Sequence, residues 1–249
     1  MARVAKEVKE GKEIVAESSS TISKDDRAAI EILKRSMNKK YGDGDQVFIT
    51  DYDMDLEGIS TGSAILDALI GNGGWAEGRV HEIHGQSGSG KSSIVTLTCA
   101  NALKKHPDKF ILYIDAEQAQ NFRYMKLLGL DMEKDDRILF TQVNSAEEAF
   151  DIINNSIKTG AFSLIVLDSV PAIQTKREMS GDFTQETMAE KARFLSKSIP
   201  QLLKPLKRSN TTLIFVNQVR DKMDLWGGMV TPGNISFYFL TYHVIIVLI

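Results

Sequence analysis

Short, mainly apolar runs recur along the chain at residues 110–114, 164–167 and 212–216, each ending at polar or charged positions, and Val80 and Ile83, with His81 and Glu82 between them, mark a further strand before Gly85. Strands buried on both faces of a sheet produce such continuous runs, whereas a sheet with one wet face alternates. A further apolar pair, Ile138 and Phe140, predicts another strand. Between these runs the apolar spacing changes to that of a helix. Ile94, Val95, Leu97 and Ala100 form one such stripe, and Ala149, Ile152, Ile153 and Ile157 form a second, opened by the capping pair Ser145 and Glu148. Met188, Ala192, Leu195 and Ile199 mark a third helix, which Pro200 is expected to kink or end. Strands alternating with helices predict an α/β fold with a mainly parallel central sheet sandwiched by helices.

The ends of the chain depart from this alternation. Residues 1–22 are rich in alternating charge and then in serine (Ser18, Ser19, Ser20), which predicts a disordered tail. Ser23 and Asp26 form a capping pair before Ile30, Leu33 and Met37, so a helix is expected up to the breaker at residues 42–45. That helix and the apolar patch at residues 47–49 define an appendage over residues 23–50, packed on its own domain or on a neighbouring subunit. The core then occupies residues 51–249. Its last stretch, residues 237–249, is free of charged side chains; part of it is expected to be a core strand, and the abrupt end suits a shortened or altered reading frame.

Composition narrows the class without choosing the function. With 43% apolar and 25% charged residues the chain is an ordinary globular protein, and a net charge of −3 gives no global sign of nucleic-acid binding. A lone cysteine, Cys99, forms no intrachain disulfide, so a reducing, cytoplasmic setting is expected, with Cys99 a buried packing residue. The N-terminus lacks the apolar segment of a secretory signal, and no uncharged apolar stretch reaches bilayer length.

The chemistry concentrates in Gly85, Gln86, Ser87, Gly88, Ser89, Gly90, Lys91 and Ser92, which fit G-x-x-x-x-G-K-[ST] without substitution. The motif stands between a predicted strand and a predicted helix, the setting in which backbone N–H groups surround a phosphate and the helix start adds its dipole. Lys91 then meets the β- and γ-phosphates of ATP, and the Ser92 hydroxyl holds Mg²⁺, with Ser93 beside it. Asp168 closes a buried strand, as the acid that supports the metal shell does. Glu117 follows another strand end, where it is placed to orient or deprotonate water, although its spacing alone equally fits a solvated loop carboxylate.

The runs Ile59-Ser60-Thr61-Gly62-Ser63, Ile114-Asp115-Ala116-Glu117, Val166-Leu167-Asp168-Ser169-Val170 and residues 213–220, in order and with the phosphate loop among them, closely resemble the bacterial RecA-type recombinases. The resemblance covers roughly residues 24–233. It implies a RecA-like phosphate-loop ATPase core that polymerises as a helical filament on single-stranded DNA, pairs it with duplex DNA and exchanges strands. It also implies roles by position. Glu117 resembles the catalytic glutamate, and Gln218 the glutamine that senses the γ-phosphate and signals to a DNA-binding loop. Asn121 and Tyr124 match the segment against the adenine, where the family more often has an acid in place of Asn121. Lys176 and Arg177 fall in the first DNA-binding loop, and Arg220 and Lys222 in the second. Phe48 and its neighbours match the strand by which one subunit completes the sheet of the next.

After Gly233 the resemblance ends, and the basic hairpin by which the family reaches ATP across subunits has no counterpart. Two alternatives to a recombinase therefore remain. One is a helicase or regulatory ATPase of the same fold; the other is a catalytically incomplete nucleotide-binding partner of a full-length recombinase.

Overall fold

A computed structural model of the chain describes residues 23–42, 56–180, 185–218, 220–221, 229–230 and 243–247. It divides into two compact units, Met1–Met54 and Asp55–Ile249. In the first unit the described part is helix α1, Lys24–Tyr41. Ser23 caps it by accepting the Asp26 N–H at 3.0 Å, Asp25 and Asp26 complement the positive end of the helix dipole, and Lys39 and Lys40 complement the other. None of its residues is buried within the described structure, and Ile30 and Leu33 are 50% and 42% exposed. The expected strand around Phe48 lies outside the described residues, as does the tail over residues 1–22.

The second unit is built on a fully parallel six-stranded sheet. Its strands, in chain order, are β3 (Val80–Gly85), β4 (Phe110–Asp115), β5 (Ile138–Gln142), β6 (Phe162–Asp168), β7 (Thr212–Gln218) and β10 (His243–Val247). They lie in the order β10-β3-β7-β6-β4-β5. A small antiparallel pair, β1 (Gly58–Ile59) and β2 (Trp75–Ala76), precedes the sheet, with helix α2 (Ala64–Ile70) between its strands. A second pair, β8 (Arg220–Asp221) and β9 (Met229–Val230), follows β7. Part of the charge-free stretch near the C-terminus is thus a strand: β10 runs parallel to β3, with His243 opposite His81 and Val247 opposite Gly85.

Alternate residues of each central strand feed two separate cores. Leu112, Ile114, Ile165, Leu167, Leu213 and Phe215 point to one face, where helices α5 (Ala146–Thr159) and α7 (Gln185–Ser209) cover them. Ile111, Tyr113, Leu164, Val166, Ile214 and Val216 point to the other, covered by α3 (Lys91–Lys105) and by Met125 of the short helix α4 (Phe122–Leu127). Full burial of an aliphatic or phenyl side chain contributes about 1.5–3 kcal/mol, so both faces are driven together. Cys99 is a buried member of the second core, and burial pushes its thiol pKa up, out of reach of nucleophilic chemistry at neutral pH.

The helix expected to end or kink at Pro200 does not end there. It continues through Pro200 and Pro205 to Ser209. Each proline removes one backbone hydrogen bond, yet Leu195, Ile199, Leu202 and Leu206 lie fully or almost fully buried on one stripe, and that burial spans both prolines. The other expected helix start, at Ser145, holds with a shift: Ser145 Oγ accepts the Glu148 N–H at 3.2 Å, while the Glu148 carboxylate accepts from the N–H of Asn144, one residue before the cap.

Candidate nucleotide site

The carboxyl ends of the parallel strands β3, β7, β6 and β4 lie at the same end of the sheet, where the phosphate loop, Gln218, Asp168 and, just beyond β4, Glu117 stand. Between the end of β3 and the start of α3 the chain turns through Gly88 and Gly90, whose φ values of +78° and +85° belong to the left-handed region. Glycine is the residue that adopts that region without steric cost. Gly90 is the N-cap of α3 and supplies no side-chain acceptor to the first-turn N–H groups. Ser89 Oγ is buried with no hydrogen-bond partner among the described residues. Unsatisfied donors at a fifteen-residue helix start form a cradle for an anion, and the loop therefore fits a phosphate.

Lys91 lies in the first turn of α3. Its ammonium donates to the carbonyl oxygens of Gly85 at 3.0 Å and Gln86 at 2.6 Å. Burial lowers its pKa, and the nearby Asp168 and Glu117 carboxylates oppose that shift. The cation is thus held over the loop, against the end of β3.

Asp168 is the hub of the site. Its Oδ2 accepts from Ser92 Oγ at 2.8 Å, from the Tyr113 hydroxyl at 2.7 Å and from Gln120 Nε2 at 2.9 Å. Burial raises its pKa, the Tyr113 and Ser92 hydrogen bonds work against the rise, and Glu117 and Asp115 add to it. Tyr113 is correspondingly pushed well above the ordinary phenol range by burial and by the adjacent carboxylate of Asp168. Ser92 and Asp168 present hard oxygen ligands side by side, the donor chemistry suited to Mg²⁺.

Glu117 stands just beyond β4. Its Oε1 accepts from the hydroxyl of Ser169 and from Gln218 Nε2, the latter at 3.1 Å. Asp115, opposite Asp168 in the parallel register, holds the turn that carries it by accepting the backbone N–H of Gln118 at 2.9 Å and of Gln120 at 3.3 Å. Gln218 closes β7, the strand beside β6, so base candidate, metal-ligand candidate and sensor candidate come from adjacent strand ends.

Asn121 and Tyr124 meet at α4. Asn121 Oδ1 caps that helix by accepting the Tyr124 N–H at 3.0 Å, and the Tyr124 hydroxyl lies 3.2 Å from Ser93 Oγ. An aromatic ring 48% exposed therefore stands beside the first turn of α3. The loop residues sit apart from this cluster. Lys176 and Arg177 open the short helix α6 (Lys176–Ser180), where the Lys176 N–H donates to the Glu147 carboxylate and Arg177 pairs with Glu190 at 3.4 Å. The backbone of Arg220 pairs with Val230 in β8–β9. Lys222 lies outside the described residues.

Three residues to which the sequence assigned no role join the site: Tyr113, Gln120 and Ser169. Tyr113 lies one pleat before Asp115 on the same face of β4, a signal that becomes readable once β4 and β6 are known to be neighbours.

The family model for the RecA N-terminal domain matches residues 28–242. The chain belongs to the RecA family. It is 35% identical over 224 residues to Protein RecA of Mesoplasma florum, an overlap of 87% of this chain and 64% of the relative. It is 36% identical over 216 residues to Protein RecA of Sulfurimonas denitrificans, covering 84% and 61%, and 37% identical over 221 residues to Protein RecA of Colwellia psychrerythraea, covering 86% and 63%. The chain spans less than two thirds of the length of these curated relatives. Among the described residues no helix is long and apolar enough to cross a membrane.

Proposed function

We propose that this RecA-family chain binds ATP with Mg²⁺ at the phosphate loop, hydrolyses it, and uses the nucleotide state to control binding of single-stranded DNA in a homo-oligomeric filament that pairs and exchanges strands with duplex DNA. The observation that carries this reading is the hydrogen bond from Gln218 to Glu117, because it links the strand leading into the second candidate DNA loop to the candidate base. Loop N–H groups and Lys91 take the phosphates, with Asn121 and Tyr124 beside the adenine. Bound through Ser92 and Asp168, the metal would supply charge neutralisation at the β- and γ-phosphate oxygens. Glu117 orients and deprotonates the attacking water, and Ser169 holds its carboxylate in place. Gln218 then donates to a γ-phosphate oxygen. Lys176, Arg177, Arg220 and Lys222 contribute cations for the DNA backbone, which makes binding salt-dependent and nearly indifferent to sequence.

The test is phosphate release from ATP with and without single-stranded DNA, in the parent and in Lys91→Ala. DNA-stimulated release that Lys91→Ala abolishes is the expected result. Nucleotide binding without release favours a non-hydrolysing partner of another recombinase, and undiminished nucleotide affinity in Lys91→Ala contradicts the site assignment.

A further inference from the structure

Beneath the phosphate loop, on the face of β3 that looks toward α5 and α7, lies a carboxylate that the scheme above does not use. Glu82 is 1% exposed. Its Oε1 accepts from Asn217 Nδ2 at 2.8 Å, and the Oδ1 of the same Asn217 accepts the backbone N–H of Gln218 at 2.9 Å. Asn217 is itself fully buried. His84, on the same face, brings Nδ1 to 3.8 Å from Glu82 Oε1. A buried carboxylate is costly unless it is hydrogen-bonded, and a buried amide whose oxygen and nitrogen each have a fixed partner cannot turn over without breaking both. The path is continuous: Glu82, Asn217, the Gln218 backbone, the Gln218 amide and Glu117.

We propose that Glu82 is a positioning residue for Gln218: through the Asn217 amide it fixes the last residue of β7, so that the Gln218 side chain reaches the γ-phosphate. The inference rests on the reading of Gln218 as a γ-phosphate sensor. Glu82 touches neither nucleotide nor Glu117 and acts only through Asn217. The arrangement accounts for a buried carboxylate in the middle of β3: it gives the strand that leads into the phosphate loop a directed grip on the strand that ends in the sensor.

The readout is the ratio of affinities for ADP and a non-hydrolysable ATP analogue, which requires neither DNA nor turnover. Asn217→Asp replaces the donor facing Glu82 by an acceptor and is expected to reduce the analogue-over-ADP preference about tenfold or more, the size of losing a charge-assisted hydrogen bond, while ADP affinity stays within about twofold. Glu82→Gln combined with Asn217→Asp restores one hydrogen bond with its polarity reversed and is expected to restore the preference. A general loss of packing would instead weaken both nucleotides together and would not be rescued. Amide hydrogen exchange on the parent gives a second readout independent of any variant: the Gln218 N–H is expected to be protected although it ends its strand. An unchanged preference in Asn217→Asp, a folded double variant without recovery, or a Gln218 N–H exchanging at the unprotected rate overturns the proposal. Gln218→Ala separates the two claims, because retention of the full preference in that variant defeats the sensor reading itself, whereas its loss there beside an unchanged Asn217→Asp defeats only the role of Glu82.

Discussion

Gln218 Nε2 donates to Glu117 Oε1 at 3.1 Å, tying the end of β7 to the turn after β4 through a neutral amide on a carboxylate. In the proposed reading a γ-phosphate oxygen is an alternative acceptor for the same N–H group, and the nucleotide state chooses between the two partners. An amide makes this exchange without adding charge to the site.

Glu117→Gln keeps the shape of the side chain and its contact with Ser169 but removes the candidate base. Nucleotide binding is expected to persist while hydrolysis falls by about a hundredfold or more. Steady-state phosphate release beside a nucleotide-binding titration checks this, and unchanged turnover shows Glu117 to be a bystander.

Asp168 gives a prediction of opposite sign for stability and function. Burial raises its pKa above that of the unfolded chain, so the folded state binds more protons and the ionised carboxylate opposes folding at neutral pH. That opposition is relieved as pH falls through the raised value. Asp168→Asn keeps an acceptor oxygen for Tyr113, Ser92 and Gln120 and removes the charge. A higher Tm at neutral pH is expected, with the gain over the parent shrinking as pH is lowered, together with loss of Mg²⁺-dependent nucleotide binding. Thermal melts across pH and a Mg²⁺ titration measure both; a lower Tm at neutral pH contradicts the reading of Asp168 as a buried charge that opposes folding.

Ile153 tests the core apart from the site. It is fully buried between α5 and the sheet, and Ile153→Ala should cost about 2–5 kcal/mol through lost burial and the cavity left behind. Chemical denaturation measures the loss, and a change below about 1 kcal/mol means that the face closes over the gap.

Much of this arrangement was legible in the sequence because it is written locally. The phosphate loop is contiguous, and its glycines, Lys91 and Ser92 match the motif by spacing alone. Continuous apolar runs ending at Asp168 and Gln218 announced buried parallel strands, and their adjacency puts the two ends together. What was not legible depends on register and on non-local burial. Tyr113 reads as an ordinary strand aromatic until β6 lies beside β4, and Glu82 reads as an isolated charge in β3 until Asn217 of the neighbouring β7 is seen to donate to it. Pro200 does not end its helix for the same reason: a local rule about backbone hydrogen bonds is outweighed by the buried stripe from Leu195 to Leu206, whose partners lie elsewhere in the chain.

The central claim, that the γ-phosphate governs DNA binding through Gln218, is tested most directly by the affinity for single-stranded DNA with ADP and with a non-hydrolysable ATP analogue, in the parent and in Gln218→Ala. Linkage requires ATP to tighten DNA binding by the factor by which DNA tightens ATP binding. Tighter DNA binding with the analogue is expected in the parent, by about 5- to 150-fold, and no difference between nucleotides in Gln218→Ala. Equal DNA affinity in the two nucleotide states of the parent, or the full difference retained in the variant, contradicts the claim.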